Sequence, residues 1–396
     1  MSFVYESKYQ EGLKDRLLTE WLPSNSAVSI LQGFPGTGKS SIARALSASS
    51  ELEEIYWEIN EDSEDLFEKF YLDLASDLES KGVDLLSIDS GKTSNQVHAI
   101  VNIIKTYPFL IVIDEFQFSL ESHTGLPERQ FQELVEKLNK LPAVAGKIML
   151  ISNRNIKRNR WNDNCFVLSV GGLSNAERDD FFKLALSEEN LLEKISTERI
   201  TEITARLGGN PRALLTLVSS LFYDSIDDLL SLSPKLFEVG DVSLSQTLIM
   251  EFEHQLVRRS ISSMDSNSRT FLQYLSVYRR PFLKKAFEAI PLSDIEIVRH
   301  ELIGRYFIHS TNIDYSLHPV AKEVFISQIQ KNPELWEDAN NLAAEYYLSS
   351  FKLSDKSKHS AVTFRYFELR HHLTQCSRVS DIGFVSAKVK NYLLAK

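Results

Sequence analysis

The sequence predicts an α/β chain that begins with an open parallel sheet, wound with helices on both faces, and continues into helical domains. Apolar runs of strand length alternate with amphipathic helical segments over residues 1–170, which is typical of such a sheet. One run, at 109–113, has five consecutive apolar residues, as expected for a strand covered on both faces. A glycine-rich turn at 33–40 lies between the first strand and the helix after it.

Composition favours a cytoplasmic protein of two to three domains. The chain has 396 residues, 43% hydrophobic and 25% charged, which is ordinary for a folded soluble protein. It has no apolar run near the roughly 20 residues that span a bilayer, and its polar first ten residues lack a signal-peptide core. The net charge of −10 disfavours broad nucleic-acid binding. Cys165 and Cys376 lie far apart, which supports neither a disulfide framework nor a zinc site.

Periodicity assigns the remaining elements in chain order. Strands are predicted at 27–31, 55–59, 109–113, 147–152 and 166–169, and helices at 1–25, 40–47, 65–78, 96–105 and 131–141. Residues 174–231 have only helical periodicity, and residues 244–330 add strand-like runs at 306–308 and 315–317 around a turn at 311–312. The chain is helical from 333 onward. We therefore predict a nucleotide-binding domain at 1–170, a helical lid at 171–240, a winged-helix domain at 241–330 and a helical segment at 331–396.

The turn at 33–40 has the pattern G-x-x-x-x-G-K-[ST], in which glycines let successive N–H groups face phosphates. The helix that follows adds a favourable dipole for anions. Lys39 is predicted to reach the β- and γ-phosphates, and the Ser40 hydroxyl to bind Mg²⁺. The predicted ATP/ADP-binding residues here are Gly33, Pro35, Gly36, Thr37, Gly38, Lys39, Ser40 and Ser41.

Polar residues follow two of the buried strands. Asp114 comes directly after the run at 109–113, at the strand end where ligands bind in such sheets, and is predicted to hold Mg²⁺ with Ser40. The adjacent Glu115 is predicted to polarise the attacking water. Arg154, after the strand at 147–152, is predicted to stabilise the γ-phosphate charge, with Asn153 a weaker candidate.

With these residues the sequence resembles the STAND class of signalling P-loop ATPases, which are relatives of the AAA, NB-ARC and NACHT ATPases. The resemblance lies in segments 152–154, 172–177, 208–214, 275–282 and 315–320. It implies that Pro211 touches the adenine and that His318 contacts the β-phosphate of ADP and locks a resting state. Arg212 is either a second phosphate sensor or a solvated arginine. The hydrophobic-Gly-Arg segment typical of the class is absent at residues 3–6.

The resulting hypothesis is a nucleotide switch with ATPase activity. ADP holds a closed monomer, ATP with Mg²⁺ opens it, and the open form self-associates or engages an unknown effector or trigger protein; signalling and defence are implied by the resemblance alone. About 25 residues precede the first strand, so we expect no fused effector there. The C-terminal helices are either a tetratricopeptide-like segment or a terminal cap.

Two alternatives remain open. One is a DNA-binding AAA ATPase of the origin-recognition or loader type, which the acidic composition of the predicted recognition helix at 294–301 disfavours. The other is an inert nucleotide-bound adaptor.

Overall fold

A computed structural model describes residues 7–59, 65–83, 93–121, 124–237, 246–310, 314–350 and 359–394. Over this part of the chain, residues 7–173 form one compact unit, and residues 174–350 with 362–394 form a second. The segment at 3–6 and the turn at 311–312, both considered above, lie outside the described residues.

The first unit is built on a five-stranded sheet in the order β2-β3-β4-β1-β5. Every neighbouring pair is parallel, which confirms the predicted open parallel sheet. The strands are β1 (Val28–Gln32), β2 (Glu53–Glu58), β3 (Phe109–Asp114), β4 (Lys147–Ser152) and β5 (Phe166–Ser169).

One helix of this unit precedes β1, and the others lie between the strands in sequence. They are α1 (Lys8–Arg16), α2 (Lys39–Ser49), α3 (Leu66–Ser80), α4 (Thr93–Thr106) and α5 (Arg129–Leu138). A π-helical turn continues α1 from Leu17 to Trp21, close to the predicted helix end.

Strand β3 is buried along its whole length, and its side chains alternate between two apolar cores. Ile111 and Ile113 belong to the core that contains α3, α4 and α5, whereas Leu110 and Val112 belong to the core that contains α1 and α2. The uninterrupted apolar run therefore reflects helical layers on both faces of the sheet.

The second unit begins with helices and includes a small sheet. Its helices up to residue 329 are α6 (Arg178–Glu188), α7 (Thr197–Arg206), α8 (Pro211–Ser220), α9 (Ile226–Ser231), α10 (Pro234–Phe237), α11 (Gln246–Ser263), α12 (Ser266–Ser276), α13 (Lys285–Glu288), α14 (Ile295–Gly304) and α15 (Pro319–Ile329). The antiparallel sheet has the order β6-β8-β7, with β6 (Phe282–Leu283), β7 (Ile308–Ser310) and β8 (Asp314–Leu317).

The small sheet differs from its prediction in two respects. The strand expected at 306–308 begins only at Ile308, because Tyr306 has a φ of 59° and forms the left-handed turn that ends α14. Strand β6 was not predicted, since two residues are too few to produce a periodic signal.

In the described residues from 333 onward there are three helices: α16 (Pro333–Ser350), α17 (His359–Gln375) and α18 (Val379–Leu394). Ala339, Ala343 and Ala344 of α16 are buried in one core with α12 and α15. The predicted division of the second unit into lid, winged helix and C-terminal segment stays a prediction. None of the helices described here combines the length and the apolarity that a bilayer crossing requires.

Candidate functional site

The glycine-rich loop connects β1 to α2 at the carboxyl edge of the parallel sheet. Helix α2 begins at Lys39 with Gly38 as its N-cap, and no side chain among the described residues caps its first turn. The unsatisfied N–H groups of a helix start attract anions, and the helix dipole reinforces this attraction. The loop therefore has the backbone arrangement of a phosphate-binding turn.

Two glycines of this loop occupy positions that no other residue could take without a rearrangement. Gly33 has a φ of 155°, and a Cβ there would lie 2.1 Å from the Val170 carbonyl oxygen. Gly38 has a φ of 93°, and a Cβ there would lie 2.2 Å from the Gln10 side-chain nitrogen. Tight packing against β5 and α1, together with left-handed backbone at Gly38, explains these two glycines of the motif.

The side chains of Lys39 and Thr37 bond to the backbone of the loop itself. The Lys39 ammonium donates to the carbonyl oxygens of Gly33 at 2.9 Å and Phe34 at 2.7 Å. The Thr37 hydroxyl donates to the Phe34 carbonyl at 2.9 Å. From α1, the Gln10 amide donates to the Thr37 carbonyl at 3.1 Å. Of the other predicted residues, Pro35 and Gly36 lie in this loop, and Ser41 is exposed in the first turn of α2.

Asp114 ends β3 beside the start of α2, and hydrogen bonds hold both of its carboxylate oxygens. The Ser40 hydroxyl donates to Oδ2 at 2.6 Å, and the Tyr56 hydroxyl of β2 donates to the same oxygen. The Glu115 backbone N–H donates to Oδ1 at 2.8 Å. The structure thus brings together the two residues predicted to hold magnesium, and adds a tyrosine that the sequence pattern did not indicate.

Glu115 leaves the strand in a left-handed conformation, with a φ of 57°. Its carboxylate accepts hydrogen bonds from the Asn153 side-chain amide at 2.9 and 3.1 Å and from the Gln117 side-chain amide. Gln117 in turn accepts from the Asn153 backbone N–H at 2.9 Å. Strain of this kind in a non-glycine residue costs on the order of 1–3 kcal/mol and is often found at functional sites.

Burial raises the pKa of the Glu115 carboxyl, and the neighbouring Asp114 charge raises it further. A carboxylate with a raised pKa is a stronger base near neutral pH. Burial also raises the pKa of the Tyr56 hydroxyl, as does the adjacent Asp114 carboxylate. Tyr56 therefore remains a protonated hydrogen-bond donor to Asp114.

The two candidates after β4 are placed differently. Asn153 is half-buried and contacts Glu115, as described above, whereas the Arg154 side chain is exposed. The Ser152 hydroxyl and the Arg154 backbone bond to each other and form the turn. The structure therefore brings Asn153, rather than Arg154, to the acidic pair.

Pro211, Arg212 and His318 lie in the second unit. Pro211 is the first residue of α8, where its missing N–H costs little. The Arg212 guanidinium donates to both carboxylate oxygens of Glu253 on α11, at 2.6 and 3.1 Å. His318 precedes α15, and its Nε2 lies 3.3 Å from Oε1 of the same Glu253. These two predicted sensors therefore contact the same carboxylate.

Glu253 is 1% exposed and His318 is 4% exposed, so the contact between them is shielded from water. Burial alone would raise the pKa of Glu253, but the hydrogen bond from His318 and the charge of Arg212 outweigh it and lower that pKa to about 2. The His318 Nε2 also lies 3.4 Å from the Thr216 hydroxyl, and the Nδ1 atom is buried without a partner among the described residues.

Helix α14 contains most of the predicted recognition helix of the DNA-binding alternative. Its Arg299 is 7% exposed, forms an ion pair with Glu296 and donates to the Tyr315 hydroxyl at 3.2 Å. A cation that is buried and already paired offers little to a DNA phosphate, so this helix gives the DNA-binding alternative no support.

The residues around Asp114 suit a magnesium ion held with a nucleotide. No group of three histidine, cysteine or carboxylate side chains in the described part of the chain could hold a metal by itself. Magnesium bound with a triphosphate needs fewer protein ligands, because phosphate and water oxygens complete its octahedron. The Ser40 hydroxyl and Asp114 carboxylate, 2.6 Å apart, are hard oxygen donors of the required kind.

Comparison with known proteins supports the sheet and its loop. Residues 24–155 match the family model of the AAA domain. A signal transduction ATPase with numerous domains (STAND) and a tetratricopeptide repeat sensor, from Pyrococcus horikoshii, is 15% identical with a TM-score of 0.58. The match covers 100% of this chain and 56% of that chain, so our sequence spans little more than half of the length of that protein.

Two further solved structures are more distant. A Walker-type ATPase of Pyrococcus abyssi is 15% identical, with a TM-score of 0.38 over 80% of this chain and 96% of that chain. The Aeropyrum pernix ORC1 protein in complex with DNA is 14% identical, with a TM-score of 0.36 over 82% of this chain and 93% of that chain. Similarity at this level carries no functional argument. No curated protein matches the sequence.

Proposed function

We propose that the chain is an ATP/ADP-binding switch that hydrolyses ATP slowly. The chain is a P-loop NTPase that has an AAA domain at residues 24–155 and the fold of the STAND class. The observation that carries this proposal is the hydrogen-bonded group at the carboxyl edge of the sheet. There the phosphate loop, Asp114, Glu115 and Asn153 lie within one unit. A loop that binds polyphosphate beside a carboxylate pair is the arrangement that phosphoryl transfer to water requires.

Each side chain of this group then has a task. Lys39 neutralises the β- and γ-phosphates, and Ser40 and Asp114 hold magnesium, which supplies charge neutralisation at the phosphates when it is bound. Glu115 orients and deprotonates a water, with Asn153 and Gln117 fixing the direction of its carboxylate. Arg154 is the candidate for the γ-phosphate that we retain from the sequence, although its side chain is exposed.

The switch itself is the part of the proposal that derives from the resemblance. ADP, recognised also by Pro211, Arg212 and His318, stabilises a resting monomer, and ATP with Mg²⁺ stabilises an open form that self-associates or binds an effector protein in the cytoplasm. Such a switch works only if each nucleotide binds the two forms with different affinity. The effector that the open form binds would determine whether the switch acts in signalling or in defence.

The direct test is binding of fluorescent ATP and ADP analogues to wild type and to Lys39→Ala. A charge-assisted contact is worth about 1.5–3 kcal/mol, so we expect Lys39→Ala to bind both nucleotides about 10- to 100-fold more weakly. Lys140→Ala, which removes an exposed lysine of the same unit, is the matched control. Equal affinities in wild type and Lys39→Ala would refute nucleotide binding by this loop.

A second measurement addresses the resting state. Wild-type protein purified without added nucleotide is denatured, and the supernatant is analysed by anion-exchange chromatography. The proposal predicts nearly one ADP per chain, because a resting form locked by ADP retains it through purification. Recovery of ATP, or of no nucleotide, would contradict an ADP-held resting state.

A further inference from the structure

Among the residues that the structure describes, Tyr56 is the one aromatic side chain that donates a hydrogen bond to the acidic pair. It lies in β2, and the register pairs it with Val112 of the neighbouring β3. Its hydroxyl donates to Oδ2 of Asp114, the oxygen that also accepts from the Ser40 hydroxyl at 2.6 Å. The tyrosine therefore reaches the carboxylate from the neighbouring strand, and its ring packs in the same core as α2.

The donors around Asp114 fix the plane of its carboxylate. Oδ1 accepts from the Glu115 N–H at 2.8 Å, and Oδ2 accepts from the two hydroxyls. A carboxylate oxygen has two lone-pair directions, so the donors from Tyr56 and Ser40 together saturate Oδ2. Without the Tyr56 donor the carboxylate would be held at Oδ2 by Ser40 alone, and it would turn more easily about its Cβ–Cγ bond.

The Tyr56 ring is itself held in place. The Arg44 guanidinium of α2 lies 5.4 Å from the ring centroid, within the range of a cation–π contact. Since α2 is the helix that the phosphate loop opens, this contact connects β2 to the same helix that carries Ser40. The contact between Arg44 and the ring therefore helps to orient the Tyr56 hydroxyl without binding to it.

We propose that Tyr56 is a positioning residue for magnesium: its hydroxyl orients the Asp114 carboxylate so that Asp114 and Ser40 receive the ion together. The inference rests on the proposed nucleotide function and adds to it a determinant of metal affinity. Partners that orient a metal ligand typically contribute 10- to 100-fold to metal affinity or activity. Ser40 keeps its own role, because a hydroxyl oxygen can offer a lone pair to a cation while its O–H group donates to Asp114.

Binding of a fluorescent ATP analogue to the full chain, in EDTA and in a magnesium titration, tests the proposal. Tyr56→Phe keeps the ring and its contact with Arg44 and removes only the hydroxyl. We expect affinity in EDTA to stay within about twofold of wild type, while the magnesium concentration that gives half of the enhancement rises about 10-fold. Tyr107→Phe is the matched control, since it removes a phenolic hydroxyl from a 37% exposed residue at the opposite end of β3.

A second pair of variants separates positioning from general destabilisation. If Tyr56 acts through Asp114, Tyr56→Phe adds no further change to the magnesium response of Asp114→Asn, because the two residues then share one effect. Equal weakening in EDTA and in magnesium, or an unshifted magnesium titration in Tyr56→Phe, would overturn the inference while leaving nucleotide binding intact. Failure of wild type itself to bind the ATP analogue would overturn the proposed function and the inference with it.

Discussion

The buried carboxylate of Glu253 makes a quantitative prediction about acid stability. Its pKa is lowered from 4.5 to about 2 in the folded chain, and its side chain is 1% exposed. A group whose folded pKa lies below its unfolded value contributes stability that is complete above the unfolded pKa. This contribution is lost as the pH falls toward the folded pKa.

The size of the effect follows from the two pKa values. The full contribution is on the order of 3 kcal/mol, and about 2 kcal/mol of it disappears between pH 6 and pH 3. Glu253→Gln has no carboxyl to titrate, so its stability relative to wild type should improve over this interval. Glu251→Gln, at an exposed position of the same helix, is the control and should follow wild type.

The assay is urea unfolding of the full chain at several pH values, followed through tryptophan fluorescence, with hydrogen exchange of α11 as a local readout. The quantity compared is the difference in unfolding free energy between wild type and each variant at the same pH. A constant difference between wild type and Glu253→Gln from pH 6 to pH 3 would refute the reasoning. It would mean that Arg212 and His318 do not hold the carboxylate in its charged form.

Three further predictions concern the first unit. Glu115→Gln should lower the rate of single-turnover ATP hydrolysis by about 10²- to 10⁴-fold, the usual contribution of a general base, and should retain nucleotide affinity. Asn153→Ala should lower this rate more than Arg154→Ala does. The reverse order would contradict the assigned role of Asn153. Burial lowers the pKa of Lys147 from 10.5 to about 8, so the unfolded chain binds more protons between these values and stability should rise with pH there. Lys147→Met should lack this rise in urea unfolding, and a rise in the variant equal to that of wild type would exclude Lys147 as its source.

The sequence was sufficient to predict the sheet, because covered strands and glycine-rich loops have strong local signals. The strands β4 and β5 agree with their predicted limits, and the phosphate loop lies where its motif lies. Short elements such as β6, with two residues, have no period to detect.

The partners of the candidate site residues were harder to predict, since they depend on pairings far apart in the chain. Tyr56 reaches Asp114 only through the register of β2 with β3. Glu253 and His318 are 65 positions apart in the chain, and no local pattern relates them. The choice between Asn153 and Arg154 depends on the direction of the chain after β4, which a strand signal does not specify. The untested roles of Pro211, Arg212 and His318 remain predictions.

The bonds between Lys39 and its own loop have a consequence for the speed and energetics of ligand capture. A lysine gives up as much as about 2 kcal/mol of rotamer freedom when its side chain becomes fixed. Here the carbonyls of Gly33 and Phe34 already fix the ammonium, so this loss belongs to folding of the chain. A phosphate that enters the loop replaces these carbonyls as the acceptor of the Lys39 ammonium, which is already in place. Association therefore does not have to wait for a freely moving lysine side chain to find the phosphate.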